Sequence, residues 1–84
     1  MEASDIQLNH VYRAKKPKIV GLFTRNYDDR MVVYIGPKGV QYDSPTVKFG
    51  GKYKLVTFDN FLKWAGKDVT EQTPKGDWEE IPLQ

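Results

Sequence analysis

No cysteine occurs anywhere in this chain, and that absence limits how 84 residues can fold more than any other single feature. Neither a disulfide framework nor a thiolate zinc site is open to it, so packing alone must stabilise the fold. A chain this short buries only about two-thirds of the surface its extended form exposes, which leaves material for one core and one domain. Phe, Trp and Tyr make up 13% of the residues and are the main core material, within a balance of 39% hydrophobic and 29% charged that is globular rather than disordered. The lack of thiols also reads as a reducing compartment. Residues 1–10 are polar with no apolar leader core, and no stretch approaches the roughly 18 apolar residues of a membrane span, so a cytoplasmic location without a membrane partner is expected.

Charge is small in sum and uneven in distribution. The formal net charge is +2, yet residues 1–67 hold twelve Lys and Arg against six Asp and Glu, a surplus of six, while 68–84 hold one against five, a deficit of four. A basic body suits an anionic partner, and an acidic tail lying near it lowers the potential.

Turn residues punctuate the chain at short intervals and set its elements. Residues 1–9 show no periodicity and are expected to be loose. A first strand begins at Val11 and Tyr12 within 10–14, and Pro17 among lysines marks 14–18 as an exposed loop or edge. Residues 18–25 (KIVGLFTR) are β-branched and aromatic with apolar side chains on both alternation faces, as in a curled strand that Gly21 lets bend. Asn26, Tyr27, Asp28 and Asp29 supply turn chemistry before 30–35 (RMVVYI), the clearest strand, and these two runs are expected to form a hairpin. Gly36-Pro37-Lys38-Gly39 turns the chain into a short strand at 40–42. Residues 46–49 and 52–56 are expected as a third hairpin around Gly50-Gly51, a pair suited to primed turns.

One helix is predicted over 57–65. Thr57 is a good N-cap, Asp59 falls in the first turn where the helix dipole favours a carboxylate, and Val56 and Phe61 have the spacing of a hydrophobic staple. Phe58, Phe61, Leu62 and Ala65 fall at i, i+3, i+4 and i+7, and Gly66 is placed for a C-cap. Val69 suits one more strand, and 71–84 is expected as an extended acidic tail, with Trp78 and Ile81 available to dock it. The domain therefore spans 10–70. Its class is mainly β (α+β): a small SH3-like β-barrel or curled antiparallel sheet of five or six strands with one short helix in the last third. The alternative is an α+β layer, the helix covering one face of a four- or five-stranded antiparallel sheet.

Most catalytic chemistry lacks its residues here. His10 is the single histidine, which excludes multi-histidine metal sites and His-dependent triads unless His10 itself serves, and its place beside the N-terminus suits a surface role. Asp28, Asp29, Asp43 and Asp59 would have to converge to hold a hard cation, but turn and cap roles explain each, and no calcium-loop spacing is present. The glycines lead into strands rather than a helix N-terminus, so no phosphate-cradling loop is expected, and Ser4 and Ser44 have no activating base nearby in sequence. No enzyme activity, cofactor, metal or small-molecule substrate is expected.

What remains is a set of cations interleaved with aromatics: Tyr12, Arg13, Lys15, Lys16 and Lys18, then Arg25, Tyr27 and Arg30. Small barrels bind nucleic acid by pairing a cationic groove with flat stacking partners, because phosphates attract charge and bases stack. The plainer account has the lysines solvating an edge strand and the tyrosines half-buried in the core. Trp64, at the margin of the helix's apolar face, is the candidate anchor for a protein interface, or else packs against the tail.

The progression His10-Val11-Tyr12-Arg13, Ile19-Val20, Val32-Val33-Tyr34, Gly39-Val40-Gln41-Tyr42 and the Phe58 to Phe61 segment resembles short proteins of enterobacterial prophages whose function is not established. The resemblance spans about residues 10 to 62 and departs in the stretch between Tyr42 and Thr57 and in the acidic tail. It implies a phage-encoded accessory protein that binds nucleic acid or a host protein, and those two partners are the competing expectations.

Overall fold

A computed structural model describes residues 1–21, 25–47, 51–73, 78 and 81. The elements run β1 (Val11–Ala14), β2 (Ile19–Val20), β3 (Asn26–Tyr27), β4 (Arg30–Gly36), β5 (Gly39–Asp43), β6 (Lys54–Val56), α1 (Phe58–Trp64) and β7 (Ala65–Asp68), with short 3-10 turns at Ala3–Asp5 and Thr70–Gln72. Five strands make one antiparallel sheet in the order β6-β5-β4-β1-β7, and β2 and β3 form a separate two-stranded ribbon. The molecule is thus mainly β with one helix. Among the described residues the sheet is open between the edges β6 and β7 rather than closed into a barrel, and α1 carries the chain from one edge to the other.

The strand pairings differ from the expected hairpins in two places. The described residues of the 18–25 run do not pair with β4. Its described part, β2, instead pairs with Asn26 and Tyr27 (Ile19↔Tyr27, Val20↔Asn26), residues whose polar character suggested only a turn. β4 pairs with β1 through Val11↔Met31 and with β5 through Val32↔Tyr42. Likewise β6 pairs with β5 (Val40↔Val56, Gln41↔Leu55). Val47 N–H instead closes a turn onto the Ser44 carbonyl at 3.0 Å, and residues 48–50 of that supposed hairpin lie outside the described set. In both cases the expected partner is the neighbour in sequence. The core decides otherwise, because β4 and β5 each need a neighbour on both sides to satisfy their backbone groups.

That core is built around Phe61. Phe61 is fully buried with Tyr12, Val32 and Val40, alongside Ile6 and Ala65, and Val56, Phe58, Leu62 and Trp64 pack against the cluster. Tyr12 meets Phe61 edge to face at 5.6 Å between ring centres, a preferred aromatic geometry. Residues 1–9, expected to be loose, are held by this same ring. The Tyr12 hydroxyl donates to the Asp5 carbonyl at 2.8 Å and accepts from Gln7 N–H at 2.7 Å, which seats Ile6 in the core.

The helix starts as its sequence signals indicate: Asn60 N–H donates to Thr57 Oγ1 at 3.2 Å. Its end differs. The chain passes at Ala65 directly into extended backbone (φ −71°, ψ 128°) and β7, so Gly66 is not a left-handed cap. Gly66 serves a close approach instead, since a Cβ there would lie 3.0 Å from the backbone nitrogen and Cα of Lys15. Gly66 lies beside the bulge at Arg13 and Ala14 where β7 runs along β1.

Candidate nucleic-acid interface

The bulge and the helix end together shape a basic cleft. Lys15 N–H donates to the carbonyl of Trp64, the last helical residue, at 2.9 Å, and this bond draws the segment after β1 against the end of α1. On the far side, the Asp28 N–H donates to the Lys18 carbonyl at 2.8 Å and ties the same segment to the entry of β4. The space enclosed is about 470 Å³. Lys15, Lys16 and Lys18 line it from the β1–β2 segment, Arg30 from the start of β4, and Lys63 and Trp64 from α1. Five cations thus face one carboxylate, Asp28, across a cleft with an indole in its wall.

Arg30 is the most constrained of these cations. Its guanidinium carbon lies 4.3 Å from the ring centre of Tyr42 and 4.1 Å from that of Trp64, so two aromatic rings hold it by cation–π attraction. Burial lowers its pKa, partly offset by the nearby Tyr42 and Asp28, and an arginine so placed remains charged. Among the described residues no carboxylate forms an ion pair with it.

The residues singled out in the sequence divide between this cleft and elsewhere. Lys15, Lys16, Lys18 and Arg30 converge in it, and Trp64 joins them rather than standing apart as a separate anchor; its ring lies 5.4 Å from that of Phe61. Tyr12 does not: at 0% exposure, with its hydroxyl satisfied internally, it cannot stack on a base. Arg13 is also internal, at 6% exposure. Its Nε and Nη2 donate to the two carboxylate oxygens of Asp29, each at 3.0 Å, and its guanidinium lies 3.8 Å from the Tyr27 ring centre. Arg13, fully buried Asp29 and half-buried Tyr27 therefore form a structural stack. Arg25 is exposed outside the cleft lining, and its carbonyl accepts from Ile81 N–H at 2.8 Å, which brings the tail alongside β3. Lys63 was missed in sequence. Its helical position one residue before Trp64 was the available signal, but only the bond from Lys15 N–H to the Trp64 carbonyl brings the lysines of 15–18 beside it.

The four aspartates do not meet. Asp29 is committed to Arg13, Asp43 accepts from Ser44 N–H at 2.9 Å, Asp28 is approached by the Thr46 hydroxyl at 3.5 Å, and Asp59 lies in the first turn of α1. Among the described residues no three His, Cys, Asp or Glu side chains gather as a metal site. A second polar cluster joins β1 to β7: His10 Nδ1 lies 2.7 Å from Asp68 Oδ2, and Thr70 donates to Asp68 Oδ1 while accepting from Val11 N–H at 2.9 Å. Asp68 stands between histidine and threonine here, so the histidine cannot deprotonate the hydroxyl as a catalytic triad requires. No helix among the described residues is long and apolar enough to cross a membrane. No protein-family model matches the chain, and comparison with curated proteins and with solved structures finds no match.

Proposed function

We propose that this chain is a non-catalytic binding module that engages nucleic acid through its phosphates, with the cleft between the β1–β2 segment and the end of α1 as the contact surface. The observation that carries this reading is the gathering of Lys15, Lys16, Lys18, Arg30 and Lys63 around one cleft with a single carboxylate. So many like charges held together lower their repulsion by neutralising an anion, and a phosphate chain supplies anions at regular spacing. The strand order, with the helix joining the two sheet edges, supports an SH3-like assignment for the fold, though fold alone does not name a partner. An accessory role of the kind implied by the resemblance to prophage proteins fits a module of this size.

Fluorescence anisotropy of labelled single- and double-stranded oligonucleotides tests the proposal. About five neutralised phosphates give a log–log salt slope near −4.5 on duplex, so affinity is expected to fall by roughly several hundred-fold between about 50 and 200 mM salt. Charge reversal at Lys15 and Lys16 weakens binding to both. Absence of binding to either oligonucleotide at about 50 mM salt overturns the proposal.

A specific observation also favours a host protein as partner. On the outer face of the sheet Tyr34, Gln41 and Leu55 stand in register across β4, β5 and β6 and line a groove of about 340 Å³ with Pro37, and Tyr34 and Leu55 are each 51% exposed. Among the described residues β6 is an edge strand, so an extended segment can add to it. Binding there is expected to tolerate salt, which separates it from binding in the cleft.

A further inference from the structure

The cations of the cleft are not equivalent. Lys15, Lys16 and Lys18 are exposed on an irregular segment, free to take many rotamers, whereas Arg30 opens a seven-residue strand and lies against two rings. The position of Arg30 is fixed twice over: its backbone pairs with Tyr12, itself locked in the core, and its ring partner Tyr42 is buried and contacts Phe61 at 6.5 Å. No hydrogen-bond acceptor among the described residues engages its side chain, and no polar side-chain atom is left both buried and unpartnered, so its N–H groups reach the solvent of the cleft. A rigid, planar, five-donor group without an internal acceptor is matched to a tetrahedral oxyanion through two parallel N–H···O bonds, which an ammonium cannot make.

We propose that Arg30 is the phosphate anchor of the cleft: its guanidinium, held by Tyr42 and Trp64, binds one phosphate of the nucleic acid in bidentate fashion and sets the register, while the lysines contribute screened attraction along the strand. This rests on the nucleic-acid reading above and assigns the residue that positions the ligand. Because one face of Trp64 is occupied by Arg30, the indole serves to orient the guanidinium in addition to any contact with the ligand.

The test compares Arg30→Lys with Lys18→Gln, using a fluorescein-labelled decathymidylate in anisotropy titrations across salt concentrations, with circular dichroism confirming that each variant is folded. Arg30→Lys keeps the charge and removes the fork, and is expected to weaken binding about ten- to a hundredfold, the loss of one charge-assisted pair of bonds, with the salt slope changed by less than about one. Lys18→Gln is expected to cost less affinity and to reduce the slope by about 0.7, since only a charge is lost. Arg30→Lys binding within about twofold of wild type, with wild-type binding intact, overturns the anchor and leaves the cleft reading standing; a wild-type protein that does not bind at low salt overturns both. Should Arg30→Lys unfold, the wild-type Nε–H resonance of Arg30 decides in a titration with the same oligonucleotide. A saturable shift supports the anchor, and an unmoved Arg30 signal alongside moving lysine signals overturns it.

Discussion

At the scale of single residues the sharpest division is between two arginines that look alike in sequence. Arg13 and Arg30 both fall in β-favouring runs that contain a tyrosine, yet Arg13 is 6% exposed and closes on a carboxylate that is 0% exposed, while Arg30 is partly open and forms no ion pair among the described residues. The difference lies in where each side chain ends: both strands are interior to the sheet, but Arg13 is buried against Tyr27 and Asp29 while Arg30 lines the cleft, and a buried charge is tolerated only when paired and hydrogen-bonded. Removing Asp29 takes away the carboxylate that faces that charge. Asp29→Ala is expected to destabilise the protein by about 3–5 kcal/mol, a large share of a small domain's stability. The double replacement Arg13→Met with Asp29→Leu is expected to recover much of that loss, since no orphaned charge remains. Urea denaturation of the three proteins measures both effects, and a single variant as stable as wild type would show that water reaches the pair.

At the scale of elements the β4–β5 hairpin is the most exacting part of the fold. Gly36 and Gly39 flank Pro37 and Lys38 and pair with each other, but only Gly39 adopts a positive φ, +133°. A Cβ there would also sit 2.0 Å from the Val56 carbonyl oxygen and 2.8 Å from Thr57 Cα, the backbone that leads into α1. Both the dihedral and the overlap oppose a side chain, and the obstacle is backbone that cannot rotate away. Gly39→Ala is therefore expected to cost at least about 2–3 kcal/mol in urea or thermal unfolding. Gly36→Ala is expected to cost much less, although its Cβ would fall 2.6 Å from Tyr34, because the obstacle is the ring of a side chain that is 51% exposed and free to swing out. Equal losses at the two positions would contradict this account of the turn. The helix shows the complementary case: its start was legible because a cap is a local interaction, while its end at Ala65 was not, because pairing of β7 with β1 pulls the chain straight before Gly66 can turn it.

At the scale of the whole molecule the two ends of the chain are joined through His10, Asp68 and Thr70, residues up to about sixty positions apart that bind β1 to β7. Burial alone would raise the Asp68 pKa. The hydrogen bonds from His10 and Thr70 outweigh it and hold the carboxyl below its ordinary value. A carboxyl whose pKa is lower folded than unfolded adds stability above its unfolded pKa, and that contribution disappears as pH falls through the folded value. Urea midpoints measured from about pH 6 down to about pH 2 are expected to fall on the acid side, less steeply in Asp68→Asn than in wild type. Identical acid limbs would remove Asp68 from the account. The same long-range closure explains how far the sequence could be read. By itself it determined a mainly β chain packed on aromatics, the capped helix at 57–65 and a surplus of cations in the body, all of which follow from composition, period or neighbouring residues. Only the tertiary structure decided which strands pair, that Ile6 and Tyr12 belong to the core, that Arg13 is structural, and that Lys63 and Trp64 join Lys15, Lys16, Lys18 and Arg30 around one cleft. Those outcomes depend on which distant segments exclude water from one another, and burial of that kind leaves no periodic trace along the chain.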